Sequence, residues 1–160
     1  MIEHLLTQYD TENDAQKREK LLAGAAVLGA YIKRYGNLLL VSHREETADI
    51  RDLSRCFEDS FVNLELLDVK CLCTLPADVI LATKDMLRIY RTFETILEDC
   101  LFDLHSVWVN ARERKRQFLV SIDFVCDTDL SGHKADADLY SCEDGTCRFT
   151  FQLQKGGEGA

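Results

Sequence analysis

A chain of 160 residues with 46% hydrophobic side chains can bury one sizeable core, and its abundant Leu, Ile, Val and Phe exclude a largely disordered polymer. One proline and eight glycines exclude collagen-like and low-complexity segments. A formal net charge of -9 excludes a non-specific nucleic-acid binder, because neutralising phosphates with cations supplies most of that affinity.

Ile2 to Tyr9 reads as a short helical end. Asp10-Thr11-Glu12-Asn13-Asp14 follows as a polar break, with Asn13 or Asp14 positioned to cap the next helix. That helix is expected from Gln16 to Val41. Leu21, Ala25, Leu28, Ile32, Tyr35 and Leu39 recur along it at alternating spacings of four and three, which keeps one seam turned toward a partner helix. Ala23, Gly24, Ala26, Gly29 and Ala30 are small enough to let the partner approach closely. Residues 1–42 are therefore expected to be a helical dimerisation arm, and the chain a homodimer. Ser42-His43-Arg44-Glu45-Glu46 is the next polar break and the expected boundary of a domain over 43–154, with a flexible tail over 155–160.

The domain opens with a helix expected over Ala48 to Leu67, with Thr47 as a cap and Ile50, Leu53, Phe57, Phe61 and Leu64 as its buried stripe. Val69 to Leu75 reads as a strand with Val69, Cys71 and Cys73 on one face. Pro76 is placed to open a long helix running to Leu104, since its missing N–H costs little at the first position. The second half changes period to two. Val107, Val109 and Ala111 alternate with Trp108 and Asn110, and Phe118, Val120, Ile122 and Phe124 alternate with Leu119, Ser121, Asp123 and Val125. A polar stretch from Asp127 to Asp138 leads to a last strand pair joined by Glu143-Asp144-Gly145-Thr146. Helices followed by strands in this order predict an α+β sandwich with helices on one sheet face.

Seven cysteines is an odd number, and most lie in apolar periodic segments, so free thiols in a reduced, cytoplasmic protein are expected. Cys71 and Cys73 have the wrong gap for a zinc ligand pair. Cys142 and Cys147 flank a turn and could face each other across a hairpin. No apolar run is long enough for a membrane span, so a membrane-embedded sensor would have to lie upstream. His4, His43, His105 and His133 have no neighbouring ligand or nucleophile pattern. A P-loop and a GxSxG nucleophile are both absent from the sequence.

The run Gly29-Ala30-Tyr31-Ile32-Lys33-Arg34-Tyr35-Gly36-Asn37-Leu38 resembles the GAYIKRxxNL string in the second dimerisation helix of bacterial sensor histidine kinases. The helix ending Leu66-Leu67-Asp68-Val69, the helix from Tyr90 to Leu101 and the closing Gly145-Thr146-Cys147-Arg148-Phe149-Thr150-Phe151 follow in that family's order. The resemblance covers most of the chain. It implies the C-terminal part of a two-component sensor: the end of a dimerisation hairpin, then an ATP-binding domain of the GHKL type, a sandwich of a mixed sheet with helices on one face.

The resemblance implies ATP and Mg2+ as cofactors, a response regulator as partner, and phosphoryl transfer to a histidine outside this segment. It places a catalytic acid at Glu98, a magnesium and nucleotide ligand at Asp99, and an adenine-binding carboxylate at Asp127. Asp99 stands where the family has asparagine. The glycines of the DxGxG sequence are missing around Asp127, and Gly132 stands alone where a glycine-rich lid is expected. Two readings follow: a kinase fragment, or a degenerate module of the same fold that signals without binding ATP in the usual way.

Overall fold

The computed structural model describes residues 1–156. Helix α1 (Ile2–Thr11) and helix α2 (Ala15–Arg44) form a hairpin. Of the two candidate caps, Asp14 is the one used, its carboxylate accepting the N–H groups of Gln16 and Lys17 at 2.9 and 3.1 Å. The polar residues from Ser42 do not end α2, which continues through Arg44.

Thr47 does not cap a helix, because Thr47–Asp49 forms a short strand, β1. Asp49 caps helix α3 (Ile50–Glu65) instead, its carboxylate accepting the Arg51 N–H at 2.8 Å. After β2 (Lys70–Thr74), Pro76 lies in a loop and opens no helix. The residues expected to continue that helix form β3 (Ile80–Ala82), which pairs antiparallel with β1. Helix α4 (Thr83–Cys100) therefore starts seven residues beyond Pro76. Its first residue is tied to the end of the arm: the Thr83 hydroxyl donates to the carbonyls of Glu45 and Glu46 at 2.9 and 3.2 Å.

The remaining strands are β4 (Leu104–Arg114), β5 (Gln117–Cys126), β6 (Leu139–Glu143) and β7 (Thr146–Leu153), with a 3-10 helix at Ser131–Asp136 between β5 and β6. They form a five-stranded sheet in the order β2-β4-β5-β7-β6. It is mixed: β2 runs parallel to β4 and the other pairs are antiparallel. Asp144 and Gly145, both at positive φ, make the two-residue β6–β7 turn. The register places Cys142 opposite Cys147, and the two are joined by a disulfide, which corrects the expectation of seven free thiols. Lys155 pairs with Glu113, and the Gly156 N–H donates to the Ile80 carbonyl at 2.7 Å. The rest of the expected tail lies outside the described residues.

Helices α3 and α4 cover one face of the sheet, and α2 packs against both of them. Phe57 and Phe61 of α3, Tyr90 and Phe93 of α4, and Phe124 of β5 pack in successive ring contacts that join the two layers. The arm belongs to the same core. Val27, Leu28 and Leu38 of α2 are buried, as is Leu5 of α1. Gly24 lets the arm approach closely: a Cβ there would lie 3.1 Å from Phe102 Cζ and 3.3 Å from Leu101 Cδ2.

Candidate functional site

Helix α4 is amphipathic, with Ile89, Tyr90, Phe93, Ile96 and Leu97 in the core and its polar residues facing away from the sheet. Glu98 and Asp99 lie on the exposed side near its C-terminus. Asp99 accepts from His133 Nε2 at 2.5 Å, and the other ring nitrogen of His133 faces Asp136 Oδ2 at 3.2 Å. A neutral imidazole donates from one nitrogen, so only the protonated ring donates to both carboxylates. The His133 side chain is 14% exposed and sits between α4 and the β5–β6 connector. Leu130, three residues earlier, is fully buried and pins the same connector to the core.

Asp127, just beyond β5, is 76% exposed and paired with His105 Nε2 at 3.0 Å. Thr128 beside it donates to Asp103 Oδ2 at 2.8 Å. The structure thus gives Asp99 and Asp127 separate histidine partners. Glu98 is left exposed, one turn from a carboxyl of a different kind. Glu94 is 5% exposed, and its Oε2 is buried without a hydrogen-bond partner among the described residues. Burial, reinforced by the nearby Glu98 charge, pushes its pKa from 4.5 up to about 8.

Sequence reasoning missed a second feature of α4. Lys84, Arg88, Arg91 and Thr95, spaced four, three and four apart, line a cleft of about 450 Å³. Tyr35 of α2 and Asp136 of the connector form its other sides. Arg88 is held by Asp138 at 2.9 Å and by the Asp136 carbonyl at 3.3 Å. Lys84 and Arg91 make no ion pair among the described residues, so the cleft suits an anion. Plotting the polar face of α4 would have revealed this row. His133 and His105 carried no such signal, because their partners lie 34 and 22 residues away.

For magnesium the fit is poor. Mg2+ takes a near-octahedral set of oxygens, whereas the Asp99 carboxylate is engaged by an imidazole. Among the described residues no group of three or more His, Cys, Asp or Glu side chains is arranged to hold a metal.

The expected dimer seam is divided in the structure. Ala25 and Leu28 are buried against the chain's own core, and Leu21 and Tyr35 are half-buried. Ile32, 61% exposed, and Leu39 face outward. They lie close to Leu22, Ala26, Gly29, Gly36 and Leu40 on a solvent-facing side of α2. A Cβ added at Gly29 or Gly36 would meet nothing within 4 Å.

No protein-family profile matches the chain, and no curated protein sequence does. Solved structures do. The chain is similar to the histidine kinase AdeS of Acinetobacter baumannii, with a TM-score of 0.50 and 12% identity over 98% of this chain and 94% of that one. It is similar to a bacterial phosphotransferase, with a TM-score of 0.55 and 9% identity over 93% of this chain and 85% of that one. It is also similar to the histidine kinase ThkA in complex with the response regulator TrrA, with a TM-score of 0.50 and 11% identity over 99% of this chain and 58% of that one. The chain has the histidine-kinase fold. The match extends through the helical arm, since 98% of this chain is covered.

Removing the His133 clamp has a measurable consequence. Replacing His133 with Ala leaves Asp99 and Asp136 facing each other without the imidazole. The loss is expected to be about 0.5–1.5 kcal/mol, the net worth of a typical intramolecular hydrogen bond. Amide exchange in residues 131–138 should accelerate. Unchanged protection of that segment would show that the clamp does not hold the connector.

Proposed function

We propose that this chain is the signalling end of a two-component sensor in which the connector takes over the nucleotide site. In this reading the arm forms a homodimer through the outward side of α2, and the domain passes a conformational signal to a response regulator in the cytoplasm. The observation that carries it is the Asp99–His133–Asp136 clamp together with the burial of Leu130. The connector is thereby fastened to α4 where the fold would need an open, glycine-lined approach for a triphosphate. The Asp127 side chain is 76% exposed, so an adenine bound to it would stay in water.

The response-regulator partner is supported by ThkA, a protein of similar fold solved with one. Among the described residues no helix is long and apolar enough to cross a membrane.

One observation favours ATP-dependent phosphoryl transfer as the second reading. The cleft lined by Lys84, Arg88 and Arg91 would accept phosphate oxygens beside the Tyr35 face of the arm. Calorimetric titration with ATP and with ADP, each with magnesium, separates the two. No heat at millimolar nucleotide with the folded protein is the expected result. Micromolar binding that disappears in Asp127→Ala would overturn the degenerate reading. Binding lost in Arg91→Ala but retained in Asp127→Ala would place phosphate in the cationic cleft without adenine recognition.

A further inference from the structure

The joint between the helical hairpin and the domain holds a cleft of about 440 Å³. That volume lies within the range of small-molecule sites, which combine a mainly apolar lining with a few placed polar groups. Its floor is Leu21 of α2, Leu67 beyond α3, and Leu101 and Phe102 beyond α4. Phe102 is 51% exposed, an aromatic ring left partly in water. The floor is fixed from below, because Gly24 packs against both Leu101 and Phe102.

Lys17 and Lys20 stand at the rim, one turn apart on α2. Neither makes an ion pair among the described residues, although the chain carries a net charge of -9. The acid at the rim, Glu12, is turned to local use: its Oε1 accepts the N–H groups of Asn13 and Asp14, each at 3.0 Å. Two ammonium groups against one carboxylate leave the rim net positive above an apolar floor, which matches a ligand with an apolar body and a negative head.

We propose that this joint binds a small amphiphilic anion, a chain or ring system bearing one carboxylate or sulfonate group. The apolar body lies on Leu101 and Phe102, and the head group meets Lys17 and Lys20. Because the lining comes from the arm and from the ends of α3 and α4, the ligand holds the hairpin against the domain.

Calorimetry and thermal denaturation of the full chain with decanoate below its micelle concentration test the proposal, with decanol and decylammonium as neutral and cationic controls. Decanoate is expected to bind saturably and raise the melting temperature. The double variant Lys17→Glu, Lys20→Glu should weaken it at least about tenfold, the equivalent of about 1.4 kcal/mol, while melting like the parent without ligand. Phe102→Ala should weaken decanoate and decanol alike. Absence of saturable binding to the folded protein would overturn the proposal. So would decanoate affinity unchanged in the lysine variant, or decylammonium binding as tightly as decanoate.

Discussion

Replacing Glu94 with Gln is expected to stabilise the protein at about pH 8 and to change little near pH 4.5. The wild-type carboxyl is enclosed on α4, close to Tyr31 of α2, Tyr90 and Glu98, and its Oε2 has no hydrogen-bond partner among the described residues. The folded state holds it protonated up to about 8, while the unfolded chain ionises it near 4.5. Between those values the native state binds one proton more than the unfolded state, so unfolding free energy falls as pH rises. Below 4.5 both states are protonated and the full stability is present; above about 8 both are ionised and the loss is complete. At 1.36 kcal/mol per pH unit the loss is on the order of 5 kcal/mol. Glutamine never ionises, so the variant lacks this slope. Its melting midpoint at the alkaline end should exceed that of the parent by on the order of 10 °C, given a few degrees per kcal/mol for a chain of this size. Parallel stability-against-pH curves for the two proteins would show that Glu94 ionises in the folded state as it does in water.

Replacing Ile32 with Asp is expected to dissociate the proposed homodimer and leave the monomer folded. Ile32 is 61% exposed within one chain, so its loss removes little from the monomer's core. In a dimer formed through the outward side of α2, the new carboxylate would enter an apolar contact without a hydrogen-bonding partner. That costs about 2–3 kcal/mol or more, equivalent to roughly a hundredfold rise in the dissociation constant. Leu28→Asp gives the contrast: Leu28 is 2% exposed and packs inside its own chain, so this variant should unfold instead. Sedimentation velocity reads both. A dimer that survives Ile32→Asp at the same concentration would remove the outward side of α2 from the interface.

The two leucine and isoleucine positions also show what the sequence could convey. A repeat of four and three announces that α2 packs along a stripe, and it does; it cannot say whose side chains fill the facing groove. Both answers occur within one helix, since Leu28 is buried in the chain's own core while Ile32, four residues on, faces water. The alternating strands were legible because period two survives burial on one face. Strands β1 and β3 were not, because three residues are too few to show a period, and their pairing joins Thr47 to Ala82 across the chain. That ribbon displaced both expected helix starts, at Thr47 and at Pro76. In the candidate site, Glu98, Asp99 and Asp127 were singled out by the resemblance alone. Their histidine partners depended on the path of the connector.

Thr83 adds a direct polar tie between the end of α2 and the start of α4, two helices that already share one core. Its hydroxyl grips the last carbonyls after α2 while its backbone begins α4. That places the end of the arm directly against the first turn of the helix that carries Lys84, Arg88 and Arg91. In the proposed sensor, a signal that reached α2 would meet the start of α4 through this short link.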